Sequence, residues 1–183
     1  MGSCCSKTQK IPSLSKNQIE LLQNNDNSIK QFSLDGINRW AKIVDIYDGD
    51  TCKIVFYLHI RDKYPTKFTV RCLGYDTPEL RPPKNFPERE KVVILAKTAR
   101  NRFIELITGI KVKLNVSKKE IVELLKQNKK LFFIRFSKFE KYGRLLATIH
   151  THPLQNESIG NILIKENLAT KYNGGKKTNI LIK

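Results

Sequence analysis

The stretch Ile43-Val44-Asp45-Ile46-Tyr47-Asp48-Gly49-Asp50-Thr51-Cys52-Lys53-Ile54-Val55-Phe56 decides the fold class. Val44 and Ile46 alternate with Ile43 and Asp45, and Asp48-Gly49-Asp50 is then a turn signal. Beyond it Cys52, Ile54, Phe56, Leu58 and Ile60 alternate with Lys53, Val55, Tyr57 and His59. A period of two means that successive side chains point to opposite faces, so this is a half-buried strand running to Ile60. Tyr64-Pro65-Thr66 makes the next turn, and a third strand is predicted from Lys67 to Tyr75. Its Phe68, Val70 and Cys72 share one face, while Thr69, Arg71 and Leu73 share the other. The result is a three-stranded meander.

Downstream the period changes. A Pro-rich loop from Arg81 to Pro87 precedes a predicted helix from about Glu88 to Thr108, where Val92, Leu95, Ala96, Ala99, Phe103, Ile104 and Ile107 recur at helical spacing. Gly109 marks its stop. Lys111 to Val116 reads as a short strand, and Ser117-Lys118-Lys119-Glu120 is a capping box opening a helix to about Gln127. Strands over Leu131–Ser137 and Leu145–His150 flank a turn at Lys141-Tyr142-Gly143-Arg144. A last helix, about Ser158 to Glu166, ends where Asn167 takes a left-handed C-cap. Five or six strands interrupted by one long helix give an α+β fold: a five-stranded Greek-key barrel of the OB type with two or three helices, a common nucleic-acid platform.

The 183 residues carry 34 Lys plus Arg against 17 Asp plus Glu, a formal net charge of +17. Such an excess repels itself in the folded state, which points to a polyanionic partner. Nucleic acid and an anionic membrane leaflet both qualify, and a generally basic composition is the plain alternative. At 40% hydrophobic residues the chain can bury a core. No stretch approaches the roughly 18 apolar residues of a membrane span, and no apolar signal region opens the chain. Cys4, Cys5, Cys52 and Cys72 have no metal-ligand spacing and no resemblance to a secreted disulfide framework, so the chain reads as cytosolic and reduced. His59, His150 and His152 also lack metal spacing and are expected at surface or edge positions.

Met1-Gly2-Ser3-Cys4-Cys5-Ser6 matches the N-myristoylation pattern at Gly2. One myristoyl chain binds membranes only marginally, so stable anchoring takes a second signal, and palmitoylation of Cys4 and Cys5 would supply it. The expectation is a lipidated, flexible tail over residues 1–38, peripheral on the cytoplasmic face of a membrane, in a eukaryotic or eukaryotic-virus setting. A folded domain then spans 39–175 and a basic tail 176–183.

Carboxylates concentrate at two turns of this basic chain: Asp48 and Asp50 in one, Asp76 and Glu79 in the other. Each segment alone reads as an ordinary turn. Arg71 and Arg144 change that reading. Carboxylates plus two arginines are the set that phosphodiester hydrolysis needs: oxygens to hold a hard cation, a base to align water, and guanidinium forks to neutralise developing charge.

The segments Ile46-Tyr47-Asp48-Gly49-Asp50-Thr51, Val70-Arg71-Cys72-Leu73-Gly74-Tyr75-Asp76-Thr77-Pro78-Glu79 and Lys141-Tyr142-Gly143-Arg144 resemble, in order and spacing, the signatures of the staphylococcal nuclease family. Residues Ile162 to Ala169 resemble the family's helix after the barrel. The resemblance implies Ca²⁺ held by Asp50, Asp76 and the Thr77 carbonyl with Asp48 in support, Glu79 as general base, and Arg71 and Arg144 as phosphate grips. It also implies cleavage of DNA and RNA leaving 3′-phosphates. Two departures stand out: the helix after Ser117 is inserted, and Tyr172 is only an approximate counterpart of the family's substrate-pocket tyrosines, so base stacking and tail packing are both open to it. The expected partners are DNA, RNA or both, and an anionic membrane, with the protein a monomer. The competing readings are a non-catalytic nucleic-acid- or protein-binding barrel at a membrane, and a membrane-tethered scaffold whose charge serves lipid binding alone.

Overall fold

Strand β1 (Asn38–Ile46) turns at Asp48–Asp50 and folds back as β2 (Thr51–Phe56) in a computed structural model that describes residues 13 to 174. The chain divides into two units, 1–32 and 33–183. In the first, helix α1 (Lys16–Gln23) is opened by a capping box at Ser15 and buries no residue. Gly2, Cys4, Cys5 and the stretch 176–183 lie outside the described residues.

The second unit is the barrel. After β2 come β3 (Thr66–Cys72), β4 (Gly74–Asp76), α2 (Arg89–Thr108), α3 (Lys118–Gln127), β5 (Phe132–Phe139), β6 (Leu145–His150), α4 (Ile159–Lys165) and β7 (Thr170–Tyr172). Five strands close in the order β1-β2-β3-β6-β5, and β4 pairs with β7 in a separate two-stranded ribbon. The expected α+β class and closed five-stranded barrel are both present. All barrel pairings are antiparallel except β3 with β6, which run parallel with Val70 opposite Leu145 and Arg71 opposite Leu146. Ile54, Val70, Ile134, Leu145 and Ala147 fill the interior with no exposed surface. The Phe56 ring packs 4.7 Å from that of Phe136 and 5.3 Å from that of Phe68. Helix α2 buries Ala96, Ala99, Phe103, Ile104 and Ile107, and Gly109 ends it at φ 78° as the sequence requires. Helix α3 has the full Ser117–Glu120 capping box. No helix among the described residues is long and apolar enough to cross a membrane.

Five expectations are corrected. In β1 a bulge between Ile43 and Asp45 brings Ile43 and Ile46 inward together, so strict alternation fails there. Strand β2 stops at Phe56 rather than Ile60, because Asp62 accepts the His59 N–H at 2.8 Å and turns the chain. The third strand breaks at Leu73, where Gly74 adopts φ 91° and starts β4. Residues 111–116 form no strand: the Asn101 side chain donates to the Lys113 carbonyl at 3.0 Å, and Val116 N–H turns back to the same oxygen. His150, expected at the surface or an edge, is buried at 3% exposure, its Nε2 2.9 Å from the Thr148 hydroxyl. Cys52 and Cys72 are buried free thiols, and the hydrogen bond between them, with burial, pushes the Cys52 thiol well above its ordinary value.

Candidate functional site

Two loops distant in sequence are stitched together at one end of the barrel. The Tyr75 hydroxyl donates to the Gly49 carbonyl at 2.9 Å, and Cys72 N–H donates to the Asp50 carbonyl at 2.7 Å. Thr77 donates both its N–H and its hydroxyl to Asp50 Oδ2, at 2.9 and 2.8 Å. Asp48 Oδ1 accepts the Asp50 N–H at 3.1 Å, the short side-chain-to-backbone bond that shapes this turn. The approach is close enough to demand glycine. A Cβ on Gly49 would lie 2.6 Å from Thr77 Cγ2.

Arg71 joins these carboxylates. It leaves β3 one residue before the strand ends, with Nη1 2.5 Å from Asp50 Oδ1 and Nη2 on Asp76 Oδ1. Burial works to lower its pKa, but Asp50 and Asp76 outweigh burial and the value is raised. Asp50 and Asp76 therefore share one guanidinium, with Asp48, also buried, beside Asp50. Burial, with the charge of Asp50 beside it, pushes the Asp48 carboxyl up to about 7. An all-oxygen cluster with surplus negative charge is the donor chemistry of a hard divalent cation, so the residue types fit calcium. Among the described residues no three His, Cys, Asp or Glu side chains form a ready metal cage. Arg71 is the counter-charge instead.

On its other side Arg71 lines a cleft of about 600 Å³. The parallel β3–β6 pairing carries the β5–β6 turn to this cleft, so Arg144 lines it too, with Glu140 and Tyr142. That turn is closed by Glu140 N–H to the Arg144 carbonyl at 2.9 Å and by Gly143 at φ 78°. The Arg144 guanidinium pairs with Glu140. Tyr172 reaches the same cleft because β7 pairs with β4, placing it opposite Gly74. Asp48, Asp50, Asp76, Thr77, Arg71, Arg144 and Tyr172 are thus gathered around one guanidinium and one cleft. Glu79 is exposed on the loop toward α2, three residues past Asp76, and does not form part of the cleft wall.

Sequence reasoning missed Glu140 and β7. Glu140 carries a legible signal, a carboxylate four residues before Arg144 across a tight turn. The three residues of β7 carry none, since pairing with β4 is a tertiary event.

A comparison with curated proteins gives no match to the chain. The family model described as "Staphylococcal nuclease homologue" matches residues 69–181, more than half the chain. That span holds Arg71, Asp76, Thr77, Glu79, Arg144 and Tyr172, while the β1–β2 turn brings Asp48 and Asp50 to them from outside it. With the closed five-stranded barrel in place around these residues, the chain belongs to the staphylococcal nuclease family and carries a nuclease-like domain.

Proposed function

We propose that this protein is a calcium-dependent nuclease that hydrolyses phosphodiester bonds of DNA, RNA or both. N-terminal acylation at Gly2, Cys4 and Cys5 would tether it to the cytoplasmic face of a membrane. The observation that carries the nuclease reading is Arg71, which touches the acidic cluster on one side and shares the cleft of about 600 Å³ with Arg144 on the other.

Asp50, Asp76 and the Thr77 carbonyl would hold calcium, with Asp48 in support. When bound, the ion supplies Lewis-acid polarisation of a phosphoryl oxygen. Arg71 and Arg144 offer guanidinium forks to the remaining phosphate oxygens, where negative charge grows in the transition state. Both arginines already rest against carboxylates, so a phosphate entering the cleft exchanges one anionic partner for another. Glu79, on the exposed loop three residues past Asp76, would serve as general base by moving toward the cleft to take the proton from the attacking water. Tyr172 supplies a stacking face for a base at the cleft wall.

The test is plasmid and RNA digestion with calcium and with EDTA, for the wild type and Glu79→Gln. Removing a general base should lower turnover by roughly 10² to 10⁴ while leaving retention of nucleic acid on a gel intact. Undiminished cleavage by the variant would remove Glu79 from the mechanism. Retention without cleavage by the wild type would establish the alternative, a non-catalytic binding module.

A further inference from the structure

The β1–β2 hairpin has two ends. Its turn, Tyr47–Asp50, belongs to the site just described. At the other end lie Asn38–Trp40 and the β2–β3 connection, residues 57–65. The six residues of β2 separate Asp50 from Tyr57, so the ends stand roughly 20 Å apart at about 3.3 Å per residue. This far end exposes what a soluble barrel usually hides. Ile60 is 95% exposed at the tip of the connection, and Tyr64 is 70% exposed. Trp40 in β1 and Tyr57, just past the end of the antiparallel β2, are each 47% exposed. Together they border a shallow depression of about 720 Å³ with Arg39, His59 and Arg61.

The charges there are arranged to match an anion. Arg61 and Lys63 are exposed just after the tip, and Lys63 lies over the Tyr64 ring at 5.3 Å. The one carboxylate of the β2–β3 connection, Asp62, is half-buried and occupied by the His59 N–H. An aliphatic tip, amphipathic aromatic rings beside it and a basic collar is the composition of a surface that sits at a lipid headgroup boundary. A nucleic acid could use the rings and the cations, but a fully extruded aliphatic side chain beside cations matches the boundary between acyl chains and anionic headgroups better.

We infer that this end of the barrel, led by Ile60 with Arg61 and Lys63 following it and Trp40 and Tyr57 in the same end, docks on an anionic phospholipid bilayer. Docking there holds the nuclease cleft on the side away from the membrane, where a long polyanion can reach it. The surface extends the membrane part of the proposed function to the folded domain itself, and it acts without any lipid on the chain.

Trp40 is the single tryptophan of the chain and lies inside the patch, so its fluorescence reports docking directly. The full chain carrying Gly2→Ala, Cys4→Ser and Cys5→Ser, which has none of the proposed acyl acceptors, is mixed with phosphatidylcholine vesicles with and without phosphatidylserine, and co-sedimentation is measured alongside. The Trp40 emission should shift to the blue, and the protein should sediment, only with the phosphatidylserine vesicles. Ile60→Asp should lower the partition roughly tenfold or more, the scale of an aliphatic side chain lost from an apolar surface. Arg61→Ala should lower it about fivefold, each basic residue near such a surface being worth about 1 kcal/mol. Both changes lie on an exposed turn, and unchanged digestion of nucleic acid in solution shows that the variants are folded. Sedimentation unaffected by Ile60→Asp would overturn the inference, placing the binding elsewhere on this basic chain. So would a Trp40 signal that responds to single-stranded oligonucleotide and not to vesicles. Failure of acylation in cells would leave the result untouched, because the chain substituted at Gly2, Cys4 and Cys5 never carries a lipid.

Discussion

The end of β3 and the β5–β6 turn each present an arginine to the same cleft, under opposite conditions. The Arg71 side chain is 9% exposed and meets two buried carboxylates, whereas that of Arg144 is 34% exposed and meets one. Removing a charge from a buried, fully engaged cluster strands its partners in a low-dielectric setting, while removing one from a half-solvated turn leaves water to take over. Arg71 is therefore part of the fold as well as of the site. Arg144 belongs to the site alone.

The sharpest way to break this contrast is to truncate the buried member. Arg71→Ala should lower turnover by roughly 10² or more, the scale for losing one transition-state charge donor. It should also destabilise the protein by about 3 kcal/mol in EDTA, because Asp50 and Asp76 lose their cation. Arg144→Ala should show the first effect without the second: a roughly 10²-fold loss of turnover with stability changed by less than about 1 kcal/mol. Thermal denaturation beside nuclease assays reads both quantities. Equal destabilisation by the two substitutions would abolish the distinction.

A smaller effect isolates the Arg71 side without touching an arginine. Gly160, in α4, lies against Tyr75, and a Cβ there would stand 2.2 Å from the Tyr75 ring. Tyr75 in turn holds the Gly49 carbonyl, one residue before Asp50. Overpacking of this kind costs about 1–3 kcal/mol. Gly160→Ala should therefore lower stability by that amount and weaken activity through the Asp50 turn, leaving the Arg144 turn unperturbed. Denaturant titration of the variant, with hydrogen exchange resolved by segment, checks it. Protection lost around 140–144 rather than 48–50 would contradict the placement.

The same contrast explains what could be seen in the sequence. Residues 43–56 betray strand, turn and strand because alternation and Asp-Gly-Asp are local signals, although the bulge between Ile43 and Asp45, set by pairing with β2, breaks the alternation in β1. Arg71 was legible as a phosphate grip by resemblance, but its alternation with Phe68 and Val70 places it on the outer face. Nothing local says that an outward arginine is buried; the turn carrying Asp50 does that, from 21 residues away. The Thr77 donation to Asp50 and the Tyr75 contact with Gly160 are hidden for the same reason, since each joins elements whose approach is set by barrel closure. Where a tertiary partner supplied the hydrogen bonds, as Asn101 does for residues 113–114, the local reading of a strand failed.

The smallest effect bears on the exposed side of the contrast. Glu140 holds Arg144 across the turn, with the carboxylate 19% and the arginine 34% exposed. An ion pair so accessible to water contributes about 0.2–1 kcal/mol, so Glu140→Gln should leave stability nearly unchanged. Its effect on substrate has a definite sign. The Glu140 carboxylate competes with an incoming phosphate for the same guanidinium, and neutralising it relieves that competition. The apparent KM should fall by up to about fivefold with kcat little altered, which is the same energy expressed as binding. A fall in kcat instead would mean that Glu140 positions Arg144 for the transition state. Arg144 would then depend on its neighbours for geometry, as Arg71 does, and the two guanidiniums would differ only in burial.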